Sequence, residues 1–162
     1  MTEHQKIQAE QANDGVDFGL LGESIGPGVR LLRNLLSSRI VVAFEPFGLR
    51  SGTFSTMALI SANPGCSQSD IAKHIGTDKS IVVAIVDDLE QRGLAERKRS
   101  TQDRRRNALT LTAEGEALMQ ELHKIGQAVE KPIRAKLSRQ EIAQLISLTQ
   151  RAVDAMLEDE QG

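Results

Sequence analysis

Apolar residues in this chain recur mostly at helical spacing. From Ile25, the positions Val29, Leu32, Leu36, Ile40 and Ala43 step by four, three, four, four and three, the spacing of one helix face. A second stripe, Leu31, Leu35 and Val42, runs beside it. One small domain cannot cover both stripes, so one face is expected to pack on a second subunit. Pro46 is expected to end this helix and Gly48 to begin the turn. Ahead of it, residues 1–18 are polar and aperiodic and read as a flexible arm. Gly22, Gly26, Pro27 and Gly28 read as helix-start chemistry, because no Gly-Lys-Ser/Thr follows to make a phosphate loop.

Residues 51–62 predict a second, short helix with Phe54, Met57, Ala58 and Leu59 or Ile60 facing inward, broken by Asn63-Pro64-Gly65. Ser67 to Asp70 has the form of a capping box opening a third helix to Ile75. Gly76 supplies a turn, and Thr77 or Asp78 caps a fourth helix that buries Val82, Ile85, Val86 and Leu89 and stops at Gly93. Residues 94–100 and 107–111 alternate like strands, joined by a polar turn over 101–106. From Thr112 a fifth helix carries Leu118, Leu122, Ile125, Val129 and Ile133, kinked or divided at Pro132. Ser138 caps a sixth, with Ile142, Leu145, Ile146, Thr149, Val153 and Met156. Helices of about twenty residues span roughly 30 Å, so they need a surface beyond the small segment between them.

Helix, short glycine-containing turn and helix form the helix-turn-helix signature, and the hairpin that follows is a wing. The predicted fold class is mainly α with a small β-wing. Arm residues 1–18 come first, 19–48 and 113–160 form a helical dimerisation region, and 49–112 form a winged helix-turn-helix module. Composition agrees: with 40% hydrophobic and 26% charged residues the chain is globular, and with four Phe, no Trp and no Tyr its core is aliphatic. Net charge is −2, yet residues 92–106 hold seven basic side chains against two acidic ones, which leaves the rest of the chain at −7. Positive charge so concentrated is the footprint expected of phosphate binding.

The run SQSDIAKHIGTDKSIVVAIVDDLEQRGLAERKRSTQDRRRNALTLTAEG, from Ser67 to Gly115, resembles the core of the MarR family of regulators. A recognition helix closes in Asp-Leu-Glu-Gln-Arg-Gly-Leu, the wing carries Asp-Arg-Arg, and Leu-Thr-x-x-Gly leads into the next long helix. With the surrounding helix order, the resemblance covers residues 25–157. It implies a homodimeric transcription regulator of the winged type, a repressor on a palindromic double-stranded operator. Lys79, Ser80, Val83 and Ala84 then face base edges, with Ser67 and Gln68 as further DNA-facing positions. Ile81, Val83 and Ala84 stand where many relatives have Thr or Arg, so readout leans on thymine methyls or on fewer hydrogen bonds. Arg104 or Arg105 matches the arginine that enters the minor groove, Asp103 fixes the hairpin, and Lys98, Arg99 and Arg106 contact phosphate.

The resemblance also implies a dimer built from the first and terminal helices. It implies a pocket for a small-molecule effector between that region and the module, taking aromatic acids or acyl-coenzyme A thioesters. Phe44, Phe47, Phe54 and Met57 are candidates for its wall, and Arg30, Arg33 or Arg39 for its anion partner. Lone Cys66 precedes a helix, where a thiolate has a lowered pKa, so a redox sensor is one alternative. A winged dimer acting through protein contacts is another. His4, His74 and His123 are scattered and no metal spacing or nucleophile elbow occurs, so neither an enzyme nor a metal or other cofactor is expected, and Asp87-Asp88 reads as a solvated pair. No apolar run reaches the roughly 20 residues of a membrane span, and no signal peptide is seen, which together predict a cytoplasmic protein.

Overall fold

A computed structural model of the chain describes residues 17–99 and 107–159. After a 3-10 turn, Gly19–Glu23, come α1 (Ile25–Phe44), a second 3-10 turn, Glu45–Phe47, α2 (Thr53–Ala62), α3 (Gln68–Ile75) and α4 (Lys79–Gln91). Then follow β1 (Ala95–Arg99), β2 (Asn107–Leu111), α5 (Ala113–Val129), α6 (Lys131–Lys136) and α7 (Arg139–Asp159). The fold is therefore mainly helical with one small antiparallel sheet, in which Ala95 faces Leu111 and Arg97 faces Leu109.

Local chemistry sets most of the element ends. Pro46 has no N–H to carry the α-helical bond pattern on, and α1 gives way at Glu45 to the 3-10 turn. Thr112 accepts a bond from the Gly115 N–H and starts α5. Ser138 and Glu141 cap α7 reciprocally: Ser138 N donates to Glu141 Oε2 and Glu141 N to Ser138 Oγ. The backbone and side-chain bonds from Ser138 hold the Glu141 carboxyl below its usual range. Pro132 divides the expected fifth helix outright, since α5 ends before Glu130 and α6 begins at Lys131. Two expectations are corrected. Helix α2 starts at Thr53, not Ser51, and neither candidate caps α4 through its side chain: Asp78 occupies the N-cap but makes no capping bond.

The described residues fall into two units that divide between Arg39 and Ile40. In the first, no residue of α1 up to Arg39 is buried, and Ile25, Val29, Leu31 and Leu35 are more than half exposed. In the second, two buried clusters make the core. One joins Phe44, Met57, Ile85, Leu89, Ala95, Met119 and Leu122; the other joins Ile60, Ile71, Ala72, Val82, Val86 and Leu109. The first cluster crosses the domain boundaries expected at 48 and 113, because Phe44, Met119 and Leu122 pack with residues of the winged module. Helix α2 also buries Thr53 and Thr56, which its apolar pattern did not mark. Helix α7, also in this unit, has no buried residue among those described, and Ile146, Leu148, Val153 and Met156 stand exposed along it.

Candidate nucleic-acid interface

Helix α4, the one expected to read DNA, is held from behind by both core clusters. Val82 and Val86 enter one, Ile85 and Leu89 the other, all within 2% of full burial. Burying these four side chains stabilises its placement by about 1.5–3 kcal/mol each. The opposite face is open: Lys79, Ser80 and Ile81 are exposed, Val83 and Ala84 partly so. Helix α3 meets α4 through Gly76, whose φ of +67° is a left-handed conformation that a side chain would strain. The α3 capping box is complete, with Asp70 N donating to Ser67 Oγ and Ser67 N to Asp70 Oδ2. Ser67 thus has a local structural task at the position expected to face DNA. Beside it, Gln68 carries a buried Nε2 with no hydrogen-bond partner among the described residues.

The two described strands are tied to α4 and to the entry of α3. Arg97 on β1 reaches Asp87 Oδ1 at 2.5 Å and bonds Glu90 Oε2, while its backbone N–H donates to Glu90 Oε1 at 2.9 Å. On the other strand, Leu109 N donates to Cys66 O at 3.2 Å and Gly65 N to Leu109 O at 2.8 Å, so β2 is stitched to the entry of α3. Arg92 pairs with Asp88 at 3.0 Å and donates to the carbonyls of Phe47 and Gly48, at 3.0 and 2.8 Å. Asp87 and Asp88 are thus ion-paired, not the solvated pair expected. Two of the seven basic residues, Arg92 and Arg97, are engaged internally, because packing brings carboxylates and carbonyls to them.

Arg97→Ala is expected to lower unfolding stability by about 1 kcal/mol, since the half-buried Glu90 loses its guanidinium and keeps only the bond from the backbone N–H of residue 97, while the exposed Asp87 pair adds little. Urea unfolding at fixed protein concentration checks this, and unchanged stability would remove the strut from the account.

Of the expected DNA contacts, Arg104, Arg105 and Arg106 lie outside the described residues, as do the side chains of Lys98 and Arg99; Asp103, expected to fix the hairpin, lies outside them too. The expected effector residues are placed as follows. Phe44 and Met57 belong to the core, Met57 with no exposed surface. Phe54 is half-buried, edge-on to Phe44 at 5.9 Å and stacked on His123 at 6.3 Å. Phe47 is also half-buried. Arg30, Arg33 and Arg39, in the first unit, are exposed, with Arg33 donating to Asn34 Oδ1. A cavity of 260 Å³ lies elsewhere, lined by Leu59, Asn63, Cys66, Asp70, Ile71 and His74. There the expected thiolate is contradicted: burial, then the Asp70 carboxylate, push the Cys66 thiol up, outweighing its backbone hydrogen bond. Among the described residues no His, Cys, Asp and Glu group can hold a metal ion, and no helix is long and apolar enough to cross a membrane.

Residues 49–106 match the MarR family model. A regulatory protein of Thauera aromatica, described as a putative transcriptional regulator of the hcr operon, is 38% identical over 107 residues, 64% of this chain and 63% of its own length. The match thus spans just under two thirds of that relative. Among solved structures, the transcriptional repressor CouR bound to a 23-mer DNA duplex superposes with a TM-score of 0.74 at 30% identity, over 85% of this chain and 98% of that one. CouR from Rhodococcus jostii RHA1 bound to p-coumaroyl-CoA gives 0.71 at 26% identity, over 80% and 92%.

Proposed function

This chain belongs to the MarR family of transcriptional regulators, and from that premise we propose that it works as a homodimeric repressor on a palindromic operator, in the cytoplasm, released by a small anionic ligand. The observation that carries the reading is α4: its rear face is fixed in two core clusters while its N-terminal face is open. A groove-reading helix needs both. Its N-terminal residues meet base edges only if the rest of the helix is rigid. The DNA-bound state of CouR supports the same reading.

Dimerisation is supported by α1 and α7. In solution their open apolar side chains are unfavourable, and a second copy that covers them must bring two copies of α4 to the spacing of successive half-sites, about 34 Å, for both to bind. Release is supported by the acyl-coenzyme A ligand of CouR and by the exposed guanidinium groups of Arg30, Arg33 and Arg39. A tenfold loss of occupancy needs a preference of only about 1.4 kcal/mol for the non-binding state.

A gel-shift series against salt tests this with duplexes selected from a random pool. Arg104→Ala and Arg105→Ala are each expected to weaken binding without unfolding the protein. A lost phosphate contact lowers the log–log salt slope by about 0.9, and a lost minor-groove contact reduces discrimination for A·T pairs. If neither variant changes affinity or specificity, the wing has no part in binding. Aromatic acids and their coenzyme A thioesters, added to the same complexes, are expected to release the wild type, and one of Arg30→Ala, Arg33→Ala or Arg39→Ala is expected to resist.

A further inference from the structure

The open face of α4 has an unusual chemistry for a helix that reads base edges. Guanine is recognised most often by arginine or lysine and adenine by asparagine or glutamine. From Lys79 to Leu89 the helix carries a single one of these, Lys79 itself; its amide, Gln91, is its last residue, roughly 15 Å along the axis from Ile81. Beside Lys79 the first turns offer Ser80 and three methyl-bearing side chains. Ile81 is 47% exposed, while its neighbour Val82 is 0% exposed. Val83 and Ala84 are partly open. One turn later come the carboxylates of Asp87, Asp88 and Glu90, which Arg97 and Arg92 hold against the protein. The open surface of the first turns thus has Ser80 and Ala84 near its middle, Ile81 and Val83 to either side, and one ammonium at Lys79.

We propose that Ile81, with Val83 and Ala84, reads the C5-methyl groups of thymine in the major groove, so that each half-site is specified by thymines under the first turns of α4. The C5-methyl is the one apolar mark a base pair presents in that groove, and its position distinguishes A·T from T·A. Ser80, between Ile81 and Val83 on the helix surface, and Lys79 supply the polar contacts. This inference rests on the DNA-binding reading above and names the feature of DNA that the site selects.

Uracil in place of thymine provides the test, because it removes the methyl and keeps every hydrogen-bonding group. A duplex is selected from a random-sequence pool with the wild-type dimer, and its thymines are replaced one at a time by deoxyuridine. At the positions under α4 each replacement is expected to weaken wild-type binding about fourfold, the value of one buried methyl group expressed as an affinity ratio. Ile81→Ala, an exposed substitution that leaves the core untouched, is expected to bind the thymine and uracil forms of at least one such position equally. If a duplex is selected and uracil throughout both half-sites leaves wild-type affinity unchanged, methyl readout is wrong while DNA binding stands. If losses occur but Ile81→Ala, Val83→Ala and Ala84→Gly keep them all, these residues are not the readers. Should no duplex be enriched, the DNA-binding reading itself fails and this inference with it.

Discussion

Replacing Gly115 by alanine is expected to destabilise the protein by about 3 kcal/mol or more, against a total of about 5–15 for a typical domain. A Cβ at this position lies 1.9 Å from the Leu94 carbonyl oxygen, 2.9 Å from its carbon and 3.3 Å from Leu111 Cβ. None of these is the yielding tip of a long side chain. Moving Leu94 breaks the bond its oxygen accepts from Thr112 N, at 3.1 Å, and disturbs the pairing of Ala95 with Leu111. Moving α5 breaks its cap, in which Thr112 Oγ1 accepts from Gly115 N at 3.0 Å and donates to Gly93 O at 2.8 Å. Gly126 in the same helix meets nothing within 4 Å, so Gly126→Ala is expected to stabilise by about 0.5–1 kcal/mol through helix propensity. Urea unfolding of the two variants at one protein concentration gives the comparison. Opposite signs are expected; stabilisation by both would mean that α5 does not meet Leu94 as described.

The second large effect is expected at α7. Ile146→Glu with Val153→Glu places two carboxylates on its open apolar side, where the wild-type residues are 63% and 46% exposed. If a second copy covers this side, the pair loses about 1.5–3 kcal/mol of apolar burial in each subunit, because only the exposed half of each side chain is left to cover, before any cost of desolvating charge. Light scattering with circular dichroism is then expected to show the wild type as a folded dimer at micromolar concentration and the variant dissociated and largely unfolded, since obligate dimers often have no stable monomer. A folded wild-type monomer of 17.7 kDa under these conditions would overturn the dimer.

Much of this architecture was legible along the chain because the forces involved are local. The capping box at Ser67 and Asp70 spans three residues. Gly76 and Gly93 turn the chain at positive φ as their positions implied, and the 3.6-residue period marked Val82, Ile85, Val86 and Leu89 as the buried side of α4. Strand alternation located the hairpin to within a residue or so. The basic run was equally visible, but not the separate duties of its members. Arg92 reaches back 45 residues to Phe47, and Arg97 crosses to a helix seven and ten residues earlier. No spacing rule encodes such partners.

What sequence by itself determined, then, is the order of elements, their caps and turns, the buried side of α4 and the family the chain resembles. These follow from interactions within about four residues and from period. Only the tertiary structure decided which charges are consumed internally, why position 115 excludes a side chain, and that Phe44 is core. It also decided that the Cys66 thiol is pushed up, against the direction its place before a helix suggested. Each of these depends on what packing brings close from distant parts of the chain: a carbonyl against a Cβ, a carboxylate against a guanidinium, burial around a thiol. Local pattern selects the conformation of a segment, whereas desolvation, close contact and ion pairing are properties of its surroundings, which exist only once the chain has folded.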